Sequence, residues 1–125
     1  MKRVLATITV SIVLASATAW AKTETIKGQV IDQACYTKDK TNNKGIDHKM
    51  PADTKDCAIA CAKQGQRMAL LTADGKVYAI YGGLAANKNA KLIAHVGHTV
   101  EVAGDTMDMS GSLMITAADL KMVSK

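Results

Sequence analysis

Residues 25–32, Thr-Ile-Lys-Gly-Gln-Val-Ile-Asp, alternate polar and apolar positions. That is the period of a half-buried strand. Gly28 inside the run predicts a bulge or a sharp bend. Strand character ends near 33–36, and residues 37–53 lose all apolar periodicity, being rich in Lys, Asn and Asp. A loop of this length in a compact domain is usually functional or disordered. A helix is predicted next, capped by Asp53 or Thr54, with Asp56 in its first turn and Lys63 near its end. Gly65 is the natural stop. At about 100° per residue, Cys57, Ala58, Cys61 and Ala62 share one face and are expected to point inward. Lys55, Asp56, Ile59 and Lys63 occupy the other face.

Beyond Gly65 the pattern turns to strands. Residues 68–72 and 77–81 are two of them, joined by Asp74-Gly75, a strong hairpin signal. Tyr78 and Tyr81 sit at odd spacing on the second, which puts one in the core and one on the surface. Residues 84–94 carry a short helical spacing that Gly97 stops. Residues 98–104 alternate as a strand, 105–112 read as a turn region containing Gly111, and 113–117 and 120–123 finish the chain as strands. Five or six short strands with one small helix after the first predict a mainly β fold. A small OB-like barrel, which leaves no long exposed edge, is the first expectation. An open α+β sheet is the second.

The N-terminus changes how much of the chain enters this domain. Met1-Lys2-Arg3 is basic, residues 4–15 are apolar, and Ala19-Trp20-Ala21 offers small residues at the two positions a signal peptidase reads. We expect a signal peptide over 1–21, and a periplasmic or secreted protein of residues 22–125 in one domain. The apolar run is shorter than the roughly 20 residues that span a bilayer. No cysteine at the cleavage site marks a lipoprotein, and no stable membrane insertion is expected after cleavage. Without Lys2 and Arg3, 14 basic residues face 11 acidic ones, a net charge of +3. The lysines are dispersed, there is no Phe, and the single Trp leaves with the leader. A nucleic-acid surface needs a basic stripe with stacking aromatics, so no nucleic-acid partner is expected.

The core must then be aliphatic, and so small a domain gains from a disulfide or a metal. An exported protein can keep disulfides. The chain has three cysteines, Cys35, Cys57 and Cys61, so at most one internal disulfide forms and one sulfur is left over. Cys57 and Cys61 stand one helical turn apart, as metal ligands can. Cys35 at the end of the first strand and His48 in the loop complete a four-ligand set suited to tetrahedral zinc or to cuprous copper. His95 or His98 can take the place of His48. The Met107-Asp108-Met109 and Met114 thioethers are read as core fillers. Asp105, Asp108 and Asp119 are read as turn and cap residues. A Cys-x-x-x-Cys pair with a distant histidine also resembles the copper-handling Sco proteins, whose thioredoxin-like fold this chain lacks.

Two other readings of the cysteines stay open. Cys35 paired with Cys57 or Cys61 would be a structural disulfide, contributing roughly 3 kcal/mol by loop closure. Cys57, expected in the first turn of its helix beside Lys55, is the better candidate for a redox nucleophile. No serine–histidine–aspartate spacing, phosphate loop or paired carboxylates point to another enzyme class.

The line Gly28-x-Val30-x-Asp32-x-x-Cys35, His48, Cys57-x-x-x-Cys61, Gly65, Asp74-Gly75-Lys76-Val77-Tyr78 and Gly97-His98-x-Val100-x-Val102-x-Gly104 resembles a group of small exported bacterial proteins of unsettled function. The resemblance covers nearly all of residues 22–125. It implies an OB-like barrel, export and a Cys–His–Cys-x-x-x-Cys pattern. The Lys/Asn-rich insertion between Cys35 and His48 is longer here than in that group. The expectation from sequence is a monomeric exported binding module with a metal ion or a protein as partner. Its alternatives are a thiol redox protein using Cys57 and a disulfide-stapled interaction domain.

Overall fold

A computed structural model describes residues 22–38, 40 and 52–124. The leader at 1–21, His48 and Pro51 lie outside the described residues. In chain order the elements are β1 (Lys22–Asp32), α1 (Gln33–Lys38), α2 (Ala52–Lys63), β2 (Met68–Leu71), β3 (Val77–Tyr81), β4 (Thr99–Met109), β5 (Ser112–Thr116) and β6 (Lys121–Ser124).

The strands pair in the order β1-β2-β3-β5-β4, and β4 returns to β1, closing a five-stranded barrel. All these pairings are antiparallel except β3 with β5. β6 adds outside the ring, against β4. This is the OB-like arrangement that the strand pattern predicts.

Closure depends on β1 serving two neighbours. Residues 22–29 pair with β4, and residues 29–32 pair with β2. Gly28 sits where the strand changes partner. A Cβ there would lie 2.9 Å from the Leu71 carbonyl oxygen, so the bend requires a residue without one.

Alternation sets the faces. Val30, Leu70, Tyr78, Ile80, Val100, Val102 and Ile115 fill the interior. Ile31, Ala69 and Leu71 point outward yet are buried, because Tyr36 of α1 packs on them. That explains why β2 is apolar at all four positions. Ala58 and Ala62 of α2 join the inner core, with Leu84, Leu92 and Val96.

Three expectations are corrected. The 84–94 segment is not one helix: it holds short 3-10 turns at Gly82–Ala85 and Ile93–His95, separated by Asn87, Lys88 and Asn89 at positive φ. The 105–112 turn shrinks to Ser110-Gly111, both at positive φ, because β4 continues to Met109 and pairs with β5 as a two-residue hairpin. Among the described residues a second short helix, α1, stands before α2 between β1 and β2, and it begins directly after Asp32. Tyr78 is buried and Tyr81 half-exposed, as the odd spacing requires.

Candidate metal centre

Each cysteine is placed by a local rule. Asp32 ends β1 and caps α1: its Oδ1 accepts the Cys35 backbone N–H at 3.1 Å. Cys35 is therefore the third residue of α1, in the standard N-cap relation. Cys57 and Cys61 are i and i+4 on α2 and share one side of it.

The far end of α2 is fixed twice. The Gln66 N–H donates to the Cys61 carbonyl at 3.1 Å and the Gly65 N–H to the Ala62 carbonyl at 2.9 Å, with Gly65 at φ 83°. This is a Schellman closure, and it needs the positive φ that glycine supplies. Asn89, 3% exposed, adds a second lock: its Nδ2 donates to the Ala62 carbonyl at 3.0 Å and the Gln66 carbonyl at 2.9 Å.

The result is a cluster. The Sγ atoms of Cys35, Cys57 and Cys61 all lie within 4.8 Å of one another. All three are free thiols, so none of the disulfide candidates is paired here. Cys35 and Cys61 are half-buried, while Cys57 is exposed rather than inward-pointing. Cys57 also lies in the second turn of α2, because the helix starts at Ala52. The first-turn position expected to activate it as a nucleophile is therefore not the one it holds.

No histidine among the described residues joins the sulfurs. The rings of His95 and His98 face each other edge-on at 6.0 Å. Sequence reasoning missed two residues of this neighbourhood. Asn89 gave no signal beyond its ability to adopt positive φ. Asp32 had one: an Asp three residues before Cys35, at a strand end, is a capping pattern.

Asp32 also acts on the two half-buried thiols. It is 3% exposed, and beyond the Cys35 N–H the group its carboxylate meets is the Cys61 thiol. Its interaction with the Cys61 thiol is the first cause, and desolvation the second, that push that thiol up to about 12. Burial and then the Asp32 charge push the Cys35 thiol up. Thiols held protonated in this way are not ready nucleophiles, but they do become thiolates when a cation displaces the protons.

The geometry is compatible with a metal. Tetrahedral zinc with Zn–S of about 2.3 Å places its sulfurs about 3.8 Å apart. A contraction of about 1 Å or less brings these three to that spacing, within reach of rotamer adjustment. The other side of α1, formed by Gln33, Tyr36 and Thr37, borders a groove of ≈ 370 Å³ against Val77, Tyr81 and Leu113. The Arg67 guanidinium stacks 3.9 Å from the Tyr81 ring centre beside it. α1 thus carries a sulfur on one side and a groove wall on the other. No helix among the described residues is long and apolar enough to cross a membrane. Comparison with known protein families, with curated proteins and with solved structures finds no match to this chain.

Proposed function

We propose that this chain is an exported binding module that holds one soft transition-metal ion, zinc or copper(I), on Cys35, Cys57 and Cys61. The observation that carries the reading is the convergence of three sulfurs from two separate helices to within 4.8 Å. Residues 35 and 57 are far apart in sequence, so their meeting reflects the way α1 and α2 each pack against the barrel. Three thiolates favour soft or borderline ions. A fourth position is open to His48 or to solvent.

Cys57 is exposed, which is the one feature that favours a thiol redox role. Its second-turn position and the protonated state of its two neighbours count against that role.

Intact mass and metal content of protein purified from its exported compartment test the reading. Three free thiols with one equivalent of zinc or copper is the expected result. A mass short by two hydrogens, with no metal, overturns it in favour of a structural disulfide.

A further inference from the structure

Asp32 lies against the sulfurs of Cys35 and Cys61. A carboxylate removed from water is costly unless hydrogen bonds, a proton or a cation meet its charge. One oxygen of Asp32 is engaged by the Cys35 N–H. The other is buried, and the group that interacts with the carboxylate there is the Cys61 thiol. The ion pairs among the described residues join Lys76 to Asp74 and Lys91 to Asp119, and neither reaches Asp32. Among the described residues the close group consists of the three sulfurs, so the carboxylate stands beside that donor set and not within it.

We propose that Asp32 makes the Cys35/Cys57/Cys61 site prefer a divalent thiophilic ion of the zinc class over monovalent copper. This rests on the metal-binding reading above. The reason is charge. Three thiolates and one carboxylate sum to −4, which a divalent ion reduces to −2 and a monovalent ion only to −3. A fixed negative charge at a given distance attracts a 2+ ion twice as strongly as a 1+ ion, and more so where water is excluded. Removing that charge without changing the sulfurs therefore weakens zinc more than copper. Asp32 also fixes Cys35 through its backbone, but that effect acts on both ions alike.

The test is a pair of anaerobic competition titrations on the reduced protein, Zn²⁺ against a chromophoric chelator and Cu⁺ against a cuprous indicator. Asp32→Asn keeps the shape of the side chain and an oxygen for the Cys35 N–H. Asp32→Ser is a second neutral variant, and serine is a good helix cap. The expected result is a fall of at least tenfold in the zinc-to-copper affinity ratio, which is about 1.4 kcal/mol. Equal losses for both ions, or an unchanged ratio, overturn the proposal. Failure of both variants to fold would assign Asp32 to stability and also overturn it. If the unaltered protein binds neither ion, the metal reading itself fails, which is a separate result.

Discussion

Replacing Asn89 by alanine tests how α2 is held under the barrel. Asn89 is 3% exposed and donates from Nδ2 to the carbonyls of Ala62 and Gln66, at 3.0 and 2.9 Å. Each neutral hydrogen bond contributes roughly 0.5–1.5 kcal/mol, so the pair accounts for about 1–3 kcal/mol. The lower part of that range suits Ala62, whose carbonyl keeps the Gly65 N–H. Residue 89 also sits at φ 60°, which asparagine tolerates and alanine adopts at a cost of about 1 kcal/mol. Together these predict a loss of about 2–4 kcal/mol, and a fall in Tm of roughly 8–30 °C for a domain of this size. Asn87 is the control. It has φ 54° and is exposed, so Asn87→Ala reports the backbone strain alone, about 1 kcal/mol. Urea denaturation of both variants, read by far-UV circular dichroism, makes the comparison. If Asn89→Ala costs no more than Asn87→Ala, the buried cap does not hold α2 and the reasoning is wrong. Because α2 carries Cys57 and Cys61, the same variant also weakens zinc binding.

Other perturbations have equally definite outcomes. The Cys61 thiol is raised from 9.0 to about 12 by folding, so the reduced, metal-free protein binds that proton more tightly than the unfolded chain. The stabilisation is complete below pH 9 and is lost between about pH 9 and 12, and Asp32→Asn flattens that loss in denaturation curves taken across this range. Metal binding must displace the same proton, so zinc affinity measured by competition rises with pH over the neutral and mildly alkaline range. Cys57→Ser changes folding stability by no more than about 0.5 kcal/mol, because the residue is exposed. The same change lowers metal affinity by more than the roughly 10–100-fold that outer partners of a ligand cost. Gly28→Ala destabilises by about 1–3 kcal/mol in chemical denaturation, because its methyl group would stand 2.9 Å from the fixed Leu71 carbonyl oxygen.

Much of the barrel is legible in the sequence because its signals are local. Alternation over 25–32, the Asp74-Gly75 turn and the Gly65 stop each need only a few neighbouring residues to be read. What escaped depends on distant partners or on very short elements. α1 is six residues long, too short for a helical period to show, and it exists because Asp32 caps it and Tyr36 packs on Ile31, Ala69 and Leu71. The end of β4 looked like a turn because Asp105, Asp108 and Met109 are exposed, so alternation with a core is absent there, yet backbone pairing to β5 continues. The stretch from Asn87 to Asn89 had helical spacing but takes left-handed backbone, which lets the Asn89 side chain reach the end of α2.

The candidate site divides in the same way. The shared face of Cys57 and Cys61 follows from helical spacing alone. Which side of α2 faces the barrel does not, and the buried positions turn out to be Ala58 and Ala62, leaving Cys57 exposed. Asp32 was readable as the end of a strand, but its buried carboxylate beside Cys61 is a tertiary fact.

X-ray absorption at the metal edge of the zinc-loaded protein reads the ligands Cys35, Cys57 and Cys61 themselves. Three sulfur scatterers at about 2.3 Å, lost one at a time in the Cys35→Ser, Cys57→Ser and Cys61→Ser proteins, is the predicted result. A shell of oxygen and nitrogen alone, unchanged by those substitutions, would contradict it.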